Sequence, residues 1–320
     1  MVLQNRAMRQ QPDELAALLA RTKLPAAASA FPFPTPGLDN ELTLVTLADG
    51  QRLLLRRPRT PSRGSAQRTQ LLQSLGIARP LVHATTEDGT ALLEWVDGES
   101  LTALATSPTA DSTWRAVGEA LARVHRVRFP GAVCGDFDEG ALTLAPLDWR
   151  KHLQAKADRA TPWIREHVSD ADALLRRLSA SVHPAAATIS RDGSRLLHGD
   201  ISLDNVVMST DGTAILIDWD TPRVGTRYEE LASLEQHLYL ATGAAGLPSP
   251  FWEGYAEDLS SLTLSTMRLI GCLTWLASDD WNSYAHHPAL APQRKAELAS
   301  WKTRLETWVR DQSARFATSR

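Results

Sequence analysis

The chain has 320 residues and 35.1 kDa, with 43% apolar and 22% charged residues and a net charge of −3 at pH 7. That length suffices for one large domain or two modest ones, and the slightly acidic balance argues against nucleic acid as the main partner. Only two cysteines occur, Cys134 and Cys272, at no metal-ligand spacing, which points to a reducing, cytoplasmic setting. The N-terminal stretch lacks the apolar core of a signal peptide. The greasiest run, Leu269 to Ala277, is too short to span a bilayer, so no membrane partner is expected.

Residues 11–22 predict a short helix with Leu15, Leu18 and Leu19 on one face, and residues 24–36, rich in Pro and Ala, read as a loop. Leu42–Thr46 and Arg52–Arg56 predict two strands joined by a turn at Ala48-Asp49-Gly50. Residues 66–75 predict a helix with Leu71, Leu72 and Leu75 inward. Two more strands follow at Leu81–Ala84 and Ala91–Trp95, with Asp88-Gly89 as the hairpin turn.

After Asp97-Gly98 the pattern turns helical. Residues 111–128 carry Trp114, Val117, Leu121 and Val124 on one stripe. Residues 147–158 and 163–179 are further helices. Short β segments recur between Leu196 and Asp218, and helices return from Tyr228, with Trp275, Trp281, Trp301 and Trp308 as bulky packing residues.

The chemistry is concentrated in residues 196–220, LLHGDISLDNVVMSTDGTAILIDWD. Apolar runs flank His198-Gly199-Asp200; Asn205 follows five residues after Asp200; a second apolar run ends in Asp218-Trp219-Asp220. Phosphoryl transfer needs positioning and charge neutralisation more than covalent chemistry. One carboxylate must accept a hydroxyl proton, and a second carboxylate with an amide oxygen must hold Mg²⁺ through hard oxygen ligands. This segment offers that set.

The segment resembles the aminoglycoside phosphotransferase/choline kinase branch of the protein-kinase-like superfamily, which carries a His-Gly-Asp-x-x-x-x-Asn loop and an Ile-Asp-Trp-(Asp/Glu) metal motif. The resemblance implies an α+β, bilobal fold: a small antiparallel-sheet N-lobe with one helix over residues 1–96, and a larger, mostly helical C-lobe over 97–320. It implies ATP and Mg²⁺ as cofactors, Asp200 as catalytic base, His198 as support for the loop, and Asn205 and Asp218 as metal ligands. Gly37-Leu38-Asp39-Asn40 looks like the phosphate-covering turn, so Gly37 and Asn40 are expected at the nucleotide. Arg56 looks like the third-strand cation that pairs with phosphate. The main chain of Glu94 and Val96, in the hinge-like run 92–98, is expected to meet adenine. Leu121-Ala122-Arg123-Val124-His125 matches a helix signature of the family, with His125 read as structural.

The chain also departs from that pattern. Residues 59–76 contain no acid, so the glutamate usually placed opposite the third-strand cation is missing, and only Gln67, Gln70 and Gln73 are available to orient Arg56. Arg52, Arg56, Arg57, Arg59, Arg63 and Arg68 form a basic stretch, read either as a solvated face or as a rim for phosphates or an acidic partner segment. For the acceptor, Asp279, Asp280 and Trp281 are the candidates, with Glu253, Glu257 and Asp258 near Trp252 and Tyr255 as others. The expected function is transfer of the γ-phosphate of ATP to a hydroxyl of a small molecule, such as an antibiotic, sugar or amino alcohol. A kinase acting on Ser or Thr of a precursor peptide is the alternative, and a non-catalytic binding module is the third class.

Overall fold

The computed structural model describes residues 14–33, 40–60, 65–77, 79–106, 110–138, 141–278, 290 and 292–317. The chain divides into two compact units. The main part of the first runs from the first described residue to Gly98, and most of the second lies after it.

In the first unit, helix α1 (residues 14–20) precedes an antiparallel sheet. Its strands are β1 (Ala27–Pro32), β2 (Asn40–Leu47), β3 (Arg52–Pro58), β4 (Val82–Thr85) and β5 (Ala91–Glu94), in the order β1-β2-β3-β5-β4. Helix α2 (Ser65–Ser74) sits between β3 and β4 in the chain. The period-2 pattern of β2 and β3 places Thr43, Val45, Leu47, Leu53 and Leu55 on one buried face. Leu15, Leu18 and Leu19 of α1 complete that core with Leu92. Arg56 pairs across from Leu42 and Ala91 and alternates with Leu55, so it lies on the opposite face from this core.

Residues 24–36 depart from their reading as a loop, since β1 occupies 27–32 and pairs with β2. It is an edge strand, mostly exposed, so small and Pro residues suffice there. In α2, Leu72 is buried as expected, but Leu71 is exposed.

The second unit begins around β6 (Gly98–Ser100); along the chain there follow α3 (Leu101–Leu104), α4 (Ala110–His125), β7 (Arg128–Phe129), β8 (Val133–Asp138) and β9 (Ala141–Pro146), with Phe137–Thr143 and, further on, Ile215–Ile217 counted in the first unit. Helix α5 (Trp149–His167) runs through Pro162 and α6 (Ala171–Asp192) through Pro184, so the helix expected over 163–179 is split: its first part belongs to α5, and the break falls at 168–170. Asp148 and Asp170 cap their N-termini, accepting from Lys151 N and Ala173 N. Next come β10 (Ser194–Leu197), β11 (Val206–Ser209), β12 (Ala214–Leu216) and β13 (Arg223–Gly225). Helices α7 (Arg227–Thr242), α8 (Ser249–Tyr255), α9 (Ser261–Leu276) and α10 (Pro292–Ala317) follow among the described residues. Strand β10 pairs antiparallel with β7 and β13, and β13 with β8. Trp114 is buried, Trp301 and Trp308 are half-buried, and Trp275 is exposed, contrary to its expected packing role. Trp281 lies outside the described residues.

Helices α4 and α8 meet backbone to backbone. A Cβ on Gly118 would stand 2.2 Å from the Phe251 carbonyl oxygen, and one on Gly254 would stand 2.0 Å from the Arg115 carbonyl oxygen. Neither position admits a side chain without moving a helix. Among the described residues, no helix is long and apolar enough to cross a membrane.

Candidate active site

Strand β10 is fully buried and delivers His198-Gly199-Asp200 at its end. His198 is buried with its ring 4.5 Å from that of Trp219. Trp219 is therefore the apolar anchor of Asp-Trp-Asp, while Asp218 stays exposed. Asp200 is exposed too, and the amide nitrogen of Asn205 donates to its carbonyl oxygen at 2.8 Å and to its Oδ2 at 3.3 Å. This spends the NH₂ end of Asn205 on Asp200 and turns its oxygen end away from it. Between them, Asp204 accepts from the Thr102 hydroxyl of α3 at 2.6 Å, which ties the loop's middle down.

The β11–β12 hairpin turns at 210–213, where Thr213 N donates to Asp211, and returns the chain to Asp218. Asp218 has φ +61°, a left-handed conformation that non-glycine residues rarely adopt and that marks a functional position when the surroundings impose it. Gly199, at φ +89°, lies so close to Thr221 that a Cβ there would be 1.8 Å from the Thr221 carbonyl oxygen. The structure thus brings Asp200 and Asn205 into contact and lays the segment after Asp218 against Gly199.

A buried chain of hydrogen bonds fixes the loop from below. The Gly199 N–H donates to Glu230 Oε1 at 2.8 Å, and Glu230 Oε2 is 2.8 Å from His125 Nε2. His125 Nδ1 is 2.7 Å from the Tyr255 hydroxyl. An imidazole that donates from Nε2 accepts at Nδ1, so every group is satisfied. Burial pushes the Glu230 carboxyl up, but the His125 hydrogen bond, the nearby His198 and the Gly199 N–H outweigh it and hold the group below the usual carboxylate range. His125 is buried in this chain, in keeping with its structural reading. Glu230 was visible in the sequence only as a residue of the helical stretch that begins at Tyr228.

The first unit holds the residues expected at the nucleotide. Glu94 N donates to Leu81 O at 2.8 Å, while Leu81 N turns to the Glu94 carboxylate at 3.1 Å rather than to its carbonyl. Asp97 accepts from both Arg52 and the Trp95 indole, bracing the segment that contains Val96. Asn40 opens β2, opposite Pro58. Gly37 lies outside the described residues, as do Asp279, Asp280 and Trp281. Gln73 is spent on the Val82 carbonyl, 3.1 Å away. Within the basic stretch Arg52 pairs with Asp97, Arg57 with Glu14 and Glu41, and Arg59 with Glu41, while Arg68 is buried and Arg63 lies outside the described residues. Of the other acceptor candidates, Glu253 pairs with Arg115 and Glu257 with Arg227.

The donor set suits Mg²⁺. Asp218 and Asn205 offer one carboxylate and one amide oxygen, and the orientation of the Asn205 amide leaves the correct end for a cation. Among the described residues there is no cluster of three or more His, Cys, Asp or Glu for a metal; an ion that completes its shell from phosphate and water needs none.

An antiparallel-sheet unit with one intervening helix, followed by a helical unit carrying this loop, is the architecture of protein-kinase-like phosphotransferases. The profile of the phosphotransferase enzyme family (APH) matches residues 32–269, and the chain belongs to that family. Among solved structures, a spectinomycin phosphotransferase bound to ADP and spectinomycin superposes with TM-score 0.57 at 12% identity, covering 96% of this chain and 98% of that one. A macrolide 2′-phosphotransferase type I gives 0.56 at 20% identity, covering 92% and 96%. An ethanolamine kinase of Plasmodium vivax gives 0.55 at 12% identity, covering 89% and 83%. Among curated proteins none matches the chain in sequence.

Proposed function

We propose that this chain transfers the γ-phosphate of ATP to a hydroxyl of a small molecule, such as an antibiotic, sugar or amino alcohol. The observation that carries the reading is the Asn205 amide turned onto Asp200. It holds the carboxylate of Asp200 in place to accept the hydroxyl proton, and it presents the Asn205 oxygen, with Asp218, to a cation. Bound Mg²⁺ would supply charge neutralisation at the phosphates. His198, packed on Trp219, supports the loop. Asn40 and Arg56 are assigned to the phosphates, with Gly37 in the preceding turn, and the main chain of Glu94 and Val96 to adenine. The structures of relatives with ADP, spectinomycin or hygromycin B support nucleotide use and a small hydroxylated acceptor. Among the described residues of the basic stretch, Arg52, Arg57 and Arg59 are engaged with Asp97, Glu14 and Glu41, which favours the small-molecule reading.

The test is ADP release from Mg-ATP across a panel of hydroxylated antibiotics, sugars, amino alcohols and Ser/Thr peptides, with mass spectrometry of each hit. A product heavier by one phosphoryl group is expected. Asp200→Ala should lower turnover by about 10²–10⁴-fold, as loss of a general base does, while calorimetric Mg-ATP affinity stays near wild type. Full turnover by Asp200→Ala would refute the assignment.

A further inference from the structure

Beside the His198–Asp200 loop the fold sets two cations, Arg223 and Lys156, against one carboxylate, Glu229. The register of β13 against β10 sets Arg223 opposite Leu197, the residue before His198. Two residues earlier Thr221 presses on Gly199, and seven residues later Glu230 accepts the Gly199 N–H. The segment 221–230 therefore wraps Asp200's loop. Helix α5 reaches the same place, with Lys156 Nζ 3.1 Å from Glu229 Oε1.

Arg223 stands 3.6 Å from that same oxygen, too far for a hydrogen bond. Among the described residues it has no hydrogen-bond acceptor, its Nε is screened from water without a partner, and 38% of its side chain remains exposed. Nearby Arg195 and Arg227 differ: both are held by Asp192, and Arg227 also by Glu257. Cations outnumber acids around the spot, where Glu229 lies against both Lys156 and Arg223 and Asp136 of β8 is in register opposite Arg223. Burial and then Lys156 depress His152, Arg159 and Arg223 add to this, and only Glu229 opposes it. Along α5, Arg150, Lys151, Lys156, Arg159 and Arg165 outnumber Asp158 and Glu166. A polycationic acceptor would be repelled here, whereas an oxyanion could take the hydrogen bonds of a planar fork whose acidic neighbour, Glu229 Oε1, stands beyond hydrogen-bond distance at 3.6 Å.

We propose that the hydroxyl acceptor also carries a carboxylate or phosphate group, held by Arg223 and Lys156 beside the catalytic loop. The proposal rests on the phosphotransferase reading above. The test uses the full chain, titrated first with Mg-ADP by calorimetry and then, saturated with it, with matched probes. One set is glycerate, glycerol 3-phosphate, glycerol and 3-amino-1,2-propanediol; another is gluconate, glucose and glucosamine. The anionic members are expected to bind about tenfold or more tightly than the neutral ones, the scale of one charge-assisted contact, with the amines weakest. Arg223→Gln and Lys156→Gln should erase that gap, and Lys156→Arg should keep it. Absence of Mg-ADP binding would remove the phosphotransferase reading itself. If Mg-ADP binds but no anionic member binds better than its neutral partner, the acceptor proposal alone falls. It falls equally if the preference survives both Gln variants at wild-type melting temperature. A glycerate preference without one for glycerol 3-phosphate assigns a carboxylate, and the reverse assigns a phosphate.

Discussion

Asp218 shows how much a single backbone angle carries. With φ at +61°, it occupies a region that costs an ordinary side chain on the order of 1 kcal/mol and costs glycine nothing. Asp218→Gly is therefore expected to melt higher than Asp218→Ala, by the equivalent of about 1 kcal/mol, while both lose Mg²⁺-dependent turnover. Equal melting temperatures in calorimetry would show that the angle is not imposed by the surroundings. The spacing of His198, Asp200, Asn205 and Asp218 was readable in the sequence because one loop and one hairpin hold all four. The hold of Glu230 on Gly199 was not, since it joins residues 31 apart through a main-chain donor that leaves no mark on residue identity. The pairing of the arginine run was not legible for a related reason: its partners Glu14, Glu41 and Asp97 lie elsewhere in the chain.

Elements with strong apolar period were the ones the sequence announced, such as α4 with Trp114, Val117, Leu121 and Val124 on its buried stripe. Strand β1 was hidden because an exposed edge strand buries little and needs no alternation. The α4–α8 contact was equally silent, since Gly118 and Gly254 advertise flexibility while their role is close approach. Gly118→Ala and Gly254→Ala are each expected to destabilise the protein by about 1–3 kcal/mol through overpacking, seen as a lower denaturation midpoint. Because α4 ends at His125 and α8 at Tyr255, the same variants should also lower turnover at temperatures where the protein is still folded. Wild-type midpoints for both would mean that the helices can separate freely.

Across the whole molecule, the class of fold was legible from a β-rich beginning and a helical remainder, whereas the acceptor surroundings were not. Lys156, Arg223 and Glu229 converge from helix, strand and helix, and no local pattern links them. Acid stability is expected to report on the buried chain below the loop. The Glu230 carboxyl is lowered from its ordinary value of 4.5, so its ionised form stabilises the fold above that pH. The stabilisation is lost as pH falls through the lower folded value. Glu230→Gln should thus be less stable near neutrality and show a flatter decline between neutral pH and pH 3 in urea titrations. An unchanged acid limb would exclude Glu230 as the titrating group.

The bond from Gly199 to Glu230 has a consequence for how this loop can change over time. Its donor is a peptide N–H, so exchanging one side chain for another at 199 leaves it in place, and the Thr221 carbonyl bars any side chain there in the first place. Position 199 is thereby closed to mutational tuning, and drift in the set of the 198–205 loop must be written into α7 instead. Only backbone synthesis, with an ester in place of the amide joining His198 to Gly199, would delete the donor and leave every side chain as it was.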